Sequence, residues 1–376
     1  MARFFALASL LLLSLTSAAS AASSCVAFDA NWNLLAFNFG GKDYNAGTQD
    51  SWTSGTPTDI TTQGRPPFDN SNVSCYLSQF TNAIYILGAD KTSPTAVYLY
   101  DASAKSWSTQ AVNAADKFDP TDFGAILDHD TNVFYAYSKG ELFSLDMELL
   151  KAANATAKQW NDVQTVPWDA SNYQPTIALA QNHVHFLGVP GVADGSAMIF
   201  VIHFSFMQPQ PQSYGNFPNT HGQAVSFFKD TGVQTKFAFI PDAGSATYVI
   251  DVTTNTTETL KAPASKDPNA TYFASTTALV QLSSSGSVSY LVFDQDAADK
   301  NTNTDWVAIS KLPAATTNGS ASVSGSSAAP SGTKGASSGS GSSGSGGTQG
   351  NGAVTLPFAG RLIWSTAGLL VAFALF

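Results

Sequence analysis

Residues 82–107 read NAIYILGADKTSPTAVYLYDASAKSW, and this stretch contains the unit that the rest of the chain repeats. An apolar run, residues 83–87, ends on Gly88, and a polar loop leads to a second β-branched and aromatic run, residues 96–100. Two such runs joined by a turn-rich loop predict a β-hairpin. A short turn then leads to Trp107, which ends the unit.

The apolar run that follows Asn82 recurs along the chain at intervals of roughly 50 residues. A strand-rich unit with this period predicts an all-β fold, a β-propeller of four-stranded blades that each bury a face against the next. Because both chain ends can contribute strands to one further blade, we expect six or seven blades. The copies begin at Asn33, Asn82, Asn132, Asn182, Thr235 and Ser287.

The order of apolar run, glycine, loop, Tyr-Asp and Trp is similar to the Kelch repeat of the galactose-oxidase-like propellers. Leu87-Gly88, Tyr100-Asp101 and Trp107 lie where that family has its glycine pair, tyrosine and tryptophan. The resemblance covers most of residues 25–312 and implies a Kelch-like propeller, but propellers host unrelated activities. Other copies keep parts of the pattern, namely Gly40-Gly41 with Trp52, Leu145-Asp146 with a displaced Trp160, and Trp306.

The first 21 residues have the character of a secretory signal peptide. Arg3 supplies the positive charge, residues 4–15 are an apolar run too short to span a bilayer, and Ala19-Ser20-Ala21 forms a small-residue cleavage site. We therefore expect the chain to be secreted. Residues 22–312 are then expected to form the propeller domain.

The end of the chain has the pattern of a glycosylphosphatidylinositol (GPI) attachment signal. Residues 313–351 are rich in Ser, Thr and Gly and are predicted to be a disordered stalk. Small residues begin at Asn351, and a spacer leads to the terminal apolar run 362–376. This order predicts a lipid anchor on Asn351 with removal of residues 352–376. The layout resembles that of fungal cell-surface proteins, held at the plasma membrane or transferred to the cell wall.

The secretory route predicts two kinds of covalent modification. The chain has two cysteines, Cys25 and Cys75, and in an oxidising compartment an even pair predicts one disulfide bond. Asn-X-Ser/Thr sequences predict N-glycosylation. These acceptor sites are Asn72, Asn154, Asn255, Asn269 and Asn318.

Charge and composition limit the class of partner. The formal net charge is −10, and loss of Arg3 and Arg361 with the two processed ends makes it more negative. This balance disfavours nucleic acid as a partner. The expected contacts are the outer membrane leaflet, through the lipid, and a cell-wall polysaccharide or an extracellular protein. Helical periodicity is scarce, and residues 142–158 are expected to be a long loop with at most one helical turn.

No cofactor is expected, although two patterns keep copper or calcium as alternatives. His183 and His185 alternate on a predicted strand and share a face, which suits copper or zinc. Copper is also what the galactose-oxidase resemblance implies, with tyrosines and histidines as ligands and one tyrosine crosslinked to a cysteine. His129, His203 and His221 are the candidates for a third imidazole. Oxygen-bearing side chains in the pattern of a calcium loop occur at Asp299, Asn301, Asn303 and Asp305.

Two further groups of residues are candidates for binding or catalysis. Acids near expected blade strands, which could serve a glycan-active hydrolase, are Asp122, Asp128 and Asp242. Aromatics in polar or Pro-containing segments between strands predict a ligand surface at the rim. These aromatics are Trp52, Trp168, Tyr173, Tyr214 and Phe217.

Weighed together, these patterns favour a non-catalytic recognition or adhesion module for cell-wall glycan or protein. No GxSxG, P-loop, HExxH or dinucleotide-binding motif is present in the sequence. A surface enzyme, either a copper oxidase or a glycan hydrolase at the central channel, is the first alternative. A structural wall protein is the second.

Overall fold

The computed structural model describes residues 23–315, in which consecutive strands build six antiparallel sheets of four or five strands. Each repeat of the sequence supplies one sheet, so the sheets are the blades of a β-propeller. The prediction of an all-β propeller is therefore confirmed, with six blades. None of the blades combines strands from both ends of the described chain.

Blade 1 comprises β1 (Cys25–Phe28), β2 (Leu34–Phe39), β3 (Lys42–Asn45) and β4 (Thr58–Asp59). Blade 2 comprises β5 (Ser74–Ser78), β6 (Ala83–Leu87), β7 (Val97–Asp101) and β8 (Ser106–Gln110), and β9 (Val112–Asn113) follows it. Blade 3 comprises β10 (Gly124–Asp128), β11 (Val133–Ser138), β12 (Glu141–Asp146) and β14 (Asn161–Thr165). Between the last two strands, β13 (Lys158–Gln159) pairs in parallel with β9.

Blade 4 comprises β15 (Thr176–Ala180), β16 (His183–Leu187) and β17 (Ser196–Val201), with β18 (Phe206–Met207) and β19 (Gln212–Ser213) both pairing with β17. Blade 5 comprises β20 (Gly222–Ser226), β21 (Lys236–Pro241), β22 (Thr247–Asp251) and β23 (Thr256–Leu260). Blade 6 comprises β24 (Thr271–Ala274), β25 (Ala278–Leu282), β26 (Val288–Val292) and β27 (Trp306–Ala308). The helical segments of residues 23–315 are single turns at Gln49–Ser51, Ile202–Phe204 and Ala298–Asn301.

The first strand of every blade faces the central axis. These innermost strands contact their neighbours in a closed ring, in the order β1, β5, β10, β15, β20, β24 and back to β1. The apolar core lies between successive blades, where tryptophans fill much of the space. Trp107 packs edge-on against Phe37 with ring centroids 5.4 Å apart, and so joins blades 1 and 2. Between blades 2 and 3, Trp160 stacks on Phe118 at 4.6 Å.

The recurring asparagines lie in the turn before the second strand of a blade. Asn82, Asn132 and Asn182 have φ of 53°, 59° and 57°, a left-handed conformation that asparagine tolerates better than most residues. The glycine that ends the apolar run has a different constraint. A Cβ on Gly88 would lie 2.2 Å from the Asn72 carbonyl oxygen, so only glycine fits. Local backbone geometry therefore explains the pattern that makes the repeat visible.

Two expectations are settled by the strand positions. Residues 142–158 do not form one long loop, because the first part of this segment belongs to β12, which pairs with both β11 and β14. The expected disulfide between Cys25 and Cys75 is confirmed. It joins β1 to β5, the innermost strands of blades 1 and 2, so it links neighbours at the start of the ring.

Candidate functional site

The six innermost strands enclose a central cavity of about 510 Å³. Its wall combines polar and apolar groups, and the Cys25–Cys75 disulfide forms part of it. One end, which we call the mouth, is formed by polar residues that precede the innermost strands. The mouth residues are Asn72, Thr121, Asp122, Gln174 and His221. The apolar residues of the wall include Val26, Leu77, Ile126, Ile177 and Val225.

The opposite end of the cavity is covered by residues 227–235, the connection between β20 and β21, which we call the floor loop. Phe228 and Gln234 of this loop line the cavity. The floor loop, which belongs to blade 5, contacts all five of the remaining blades. It therefore lies across the central axis. Its partners are Trp32 (to Asp230, 3.2 Å), Gln79 (to the Lys229 carbonyl, 3.2 Å), His129 (ring against Phe228), Gln181 (to the Gln234 carbonyl, 2.8 Å) and Gln295 (to the Phe228 carbonyl, 2.7 Å).

At the mouth, a histidine is paired with an aspartate that directly follows the next strand of the same blade, β21. His221 Nδ1 lies 2.7 Å from Asp242 Oδ2, and the other oxygen, Asp242 Oδ1, is buried without a hydrogen-bond partner among residues 23–315. This pairing fixes the ring and leaves Nε2 as the nitrogen not engaged by Asp242. The mouth is further braced between blades, because Asn72 Nδ2 donates to the Thr121 carbonyl at 3.1 Å.

The three candidate acids do not meet at one place. Asp122 is exposed and is the one carboxylate among the cavity-lining residues of the described chain, while Asp242 is held by His221 beside the mouth. Asp128 is buried at the far end of β10, where desolvation raises its pKa and Thr131 donates a hydrogen bond to it. The wall thus does not present two facing carboxylates of the kind that glycoside hydrolysis uses.

The predicted histidine pair lies away from the central cavity, in a smaller pocket between blades 4 and 5. His183 and His185 do share a face, with ring centroids 6.4 Å apart. His185 is buried and bonded, its Nε2 3.0 Å from Tyr214 Oη and its Nδ1 3.2 Å from the His183 carbonyl. Burial lowers its pKa to about 3. Within residues 23–315, no three His, Cys, Asp or Glu side chains are grouped to hold a metal ion.

The other proposed third imidazoles each have a separate neighbour. His129 faces Asp130, His203 lies 3.3 Å from the Asn182 amide, and His221 belongs to the mouth. The Tyr–Cys crosslink that the copper-oxidase resemblance implies does not fit this chain, because both cysteines are in the disulfide.

The calcium-like segment forms a helical turn that is held by its own hydrogen bonds. The Asn301 side chain is buried, accepting from the Asp294 amide and donating to the Asp294 carbonyl, both at 2.8 Å. Asp305 is paired with Lys261, whose ammonium lies where a cation would bind that carboxylate. Asn303 is exposed, and the structure does not describe the side chain of Asp299. Of the proposed ligands, Asn301 and Asp305 therefore already have protein partners.

The aromatics expected at the rim are mostly buried between blades. Trp52, Tyr173, Tyr214 and Phe217 are 1%, 7%, 3% and 2% exposed. Trp52 lies between blades 1 and 6, with its ring 4.8 Å from that of Tyr290. Only Trp168 is partly accessible, and it packs on Phe186 at 5.3 Å. These residues therefore do not form the predicted ligand surface, because the large apolar rings fill the gaps between twisted sheets.

The asparagines of the glycosylation sequences in the described chain are all exposed. They are Asn72, Asn154, Asn255 and Asn269. Asn318, the predicted anchor residue Asn351 and the predicted signal peptide lie outside the described residues. Among residues 23–315 there is no helix of the length and apolar character needed to cross a membrane.

Comparisons with known proteins add little to this geometry. No family model matches the chain, and no curated protein matches its sequence. Among solved structures, the chain is similar to one from the crystal structure of a nidogen/laminin complex, at 10% identity and a TM-score of 0.40. That alignment covers 63% of this chain and 78% of the other. The propeller assignment rests on the six sheets and their closed ring.

Neither the floor loop nor the His221–Asp242 pair is predicted by the sequence patterns. A signal for the floor loop was present, since residues 227–235 make a longer connection than the turns that follow β5, β10 and β15. The pair has no comparable signal. His221 and Asp242 are 21 positions apart, and only the pairing of β20 with β21 brings them together.

Proposed function

We propose that this chain is a Kelch-like propeller of the cell exterior, of the fungal surface type, that recognises a ligand without transforming it. In this proposal it carries a GPI lipid on Asn351 and is N-glycosylated. The observation that carries the recognition role is the cavity with a polar mouth and a covered floor. A cavity open at one end retains a ligand that enters by the mouth, whereas an open channel would let it pass.

The chemistry of the cavity favours part of a cell-wall glycan, or a segment of an extracellular protein, as the ligand. Amide, hydroxyl and imidazole groups at the mouth can bond to sugar hydroxyls or to a peptide backbone. Partly accessible Phe123, Tyr76 and Tyr272 line the cavity and offer aromatic faces. The Asp122 carboxylate forms no hydrogen bond or ion pair with other residues of the described chain, so it is available to a ligand donor.

A binding screen with matched variants tests this proposal. The secreted protein is applied to an array of wall glycans and extracellular proteins, with and without its N-glycans, because a glycan on Asn72 would stand at the mouth. We expect Asp122→Asn to weaken binding roughly 10-fold, the effect of losing one charge-assisted hydrogen bond. Asp116→Asn is the control, since Asp116 is an exposed residue of the same connection.

A second variant tests the cavity by steric blockage, independently of the charge of Asp122. Ala125→Trp places a large side chain on the cavity wall, whereas Ala157→Trp places it on an exposed loop. The proposal predicts loss of binding for the first and none for the second. Saturable binding with an affinity that neither Asp122→Asn nor Ala125→Trp changes would contradict the cavity as the ligand site. Binding to no glycan or protein, with covalent retention in the wall fraction, would support the structural-protein alternative.

The His221–Asp242 pair favours a surface hydrolase as the second candidate. A histidine oriented by a carboxylate is the arrangement that general base catalysis uses. If this candidate is right, the protein releases fragments from a wall polymer, and His221→Gln abolishes release while leaving binding in place. Binding without release by the wild-type protein would instead support the recognition module.

A further inference from the structure

A second pocket, separate from the central cavity, lies between blades 4 and 5 and has a volume of about 200 Å³. Pockets for drug-sized ligands measure roughly 300–1,000 Å³, so this one suits a single sugar ring. Residues from β16, β22–β23 and the β17–β19 region form it. The polar lining residues are Gln181, His183, His185, Gln208, Gln212, Tyr214 and Asn255.

The lining of this pocket is polar but carries no carboxylate, lysine or arginine. The side-chain amides of Gln181 and Gln208 form no hydrogen bond with any other residue of 23–315, although their neighbours His185 and Tyr214 are bonded to each other at 3.0 Å. Each free amide offers two donors and an acceptor. Neutral groups of this kind complement hydroxyl and acetamido groups rather than ions.

Asn255 combines a place at this pocket with a modification sequence. It begins Asn255-Thr256-Thr257 in the turn between β22 and β23, is exposed, and has φ of 55°. Its own side chain lines the pocket and has no hydrogen-bond partner within the described residues. A sugar attached to that side chain would therefore begin next to the free amides.

We propose that the first N-acetylglucosamine of an N-linked glycan on Asn255 lies in this pocket and bonds through its acetamido and hydroxyl groups to Gln181 and Gln208. On attachment, the Asn255 amide nitrogen bonds to C1 of the sugar, loses one proton and displaces the lipid diphosphate of the oligosaccharide donor. The seated sugar joins the β22–β23 turn of blade 5 to blade 4. This inference rests on the N-glycosylation included in the proposed function, but not on any ligand in the central cavity.

The test compares glycoforms of the secreted protein by thermal unfolding, after mass spectrometry has established which asparagines carry glycan. One sample is trimmed by an endoglycosidase that leaves a single N-acetylglucosamine, and another is stripped completely by an amidase, which converts each glycan-bearing asparagine to aspartate. We expect trimming to leave the unfolding temperature unchanged and stripping to lower it by roughly 2–4 °C. Asn255→Gln should reproduce the loss, whereas Asn154→Gln, which removes an exposed acceptor on blade 3, should not.

Two pocket variants separate a seated sugar from a general effect of glycosylation. Gln208→Ala should lower the unfolding temperature of the trimmed protein and leave that of the stripped protein unchanged. Gln210→Ala, an exposed residue that does not line the pocket, should change neither. An unmodified Asn255, or an equal loss for Gln208→Ala in both samples, would overturn the proposal. Saturable binding of free chitobiose to the stripped protein, lost in Gln208→Ala, would assign the pocket to an external sugar and would overturn it as well.

Discussion

Phe39 of blade 1 and Ala315, which follows the last strand of blade 6, form an antiparallel bridge. The Ala315 amide also donates to the Gly286 carbonyl, at 3.0 Å, in the turn between β25 and β26. A single residue is thus held by the first and last blades together. This contact and the packing of Trp52 against Tyr290 therefore add to the contact of β1 with β24 in closing the ring, while the disulfide joins blades 1 and 2.

Substitution of Gly286 should weaken the closure. Gly286 has φ of +86°, and a Cβ there would lie 2.7 Å from the Ala315 carbonyl oxygen. Gly191 has φ of +79° with nothing within 4 Å of the added atom. We expect Gly191→Ala to lower the free energy of unfolding by about 1–2 kcal/mol through backbone strain alone, and Gly286→Ala to lose about 2 kcal/mol more. Denaturant unfolding measures both, and equal losses would show that the Ala315 contact does not contribute.

Removal of the disulfide should lower stability through the unfolded state. The bond joins residues separated by 50 positions, and closing such a loop is worth about 4 kcal/mol on the chain-entropy model. We expect the double variant, Cys25→Ala with Cys75→Ala, to have a free energy of unfolding lower by about this amount, and so a lower denaturant midpoint. The reduced wild-type protein should show the same loss. Agreement between these two samples is the control, because the double variant also alters two wall side chains. An unchanged midpoint in both would contradict the prediction.

The sequence predicted the blades well because the repeat reflects local backbone geometry. Asn82, Asn132 and Asn182 mark left-handed turns, and Gly88 marks a close approach of backbones. In each case the backbone conformation restricts the residue type at a single position, which makes the pattern visible in the sequence. The side-chain environment was predicted less well. A tryptophan in a polar stretch, such as Trp52, can lie on a loop or between blades, and its partner Tyr290 comes from the opposite end of the chain.

The candidate site was largely beyond sequence reasoning for the same physical reason. The mouth is formed by residues that precede four different strands, so the sequence contains no fixed spacing between them that would identify the site. His221 and Asp122 were each noted as candidates, one for a metal and one for hydrolysis, but only the ring of innermost strands places both at the same opening.

Opening the floor of the cavity should cost stability. Phe228 is 8% exposed, and its ring lies 5.7 Å from that of Trp32 and 6.3 Å from that of Phe273. We expect Phe228→Ala to lower the free energy of unfolding by about 3 kcal/mol, a typical value for a buried phenylalanine. Phe206→Ala is the control, because Phe206 is 51% exposed, and it should change stability by less than about 0.5 kcal/mol. Similar small losses in both variants would show that Phe228 does not seal the floor.

His185 should make the protein less stable in acid. Burial between blades 4 and 5 lowers its pKa from 6.5 to about 3, so between these values the unfolded chain binds a proton that the folded chain does not. The free energy of unfolding must therefore fall as the pH falls from 6.5 towards 3, by up to about 1.4 kcal/mol per pH unit from this group. Above pH 6.5 the imidazole is neutral in both states, and the effect vanishes.

The variant that isolates this effect is His185→Gln, which keeps a polar group near Tyr214 and removes the titration. Its stability is expected to be lower than that of the wild type at neutral pH, because the bond to Tyr214 Oη is altered. The difference from the wild type should then shrink as the pH falls through 6 to 4. His203→Gln is the control, since His203 is exposed.

The buried carboxyls of Asp43 and Asp128, whose pKa values are raised by desolvation, change the free energy of unfolding with pH in the opposite direction. They do so equally in the wild type and in His185→Gln. A difference that stays constant with pH would therefore show that His185 titrates in the folded protein as it does in the unfolded chain.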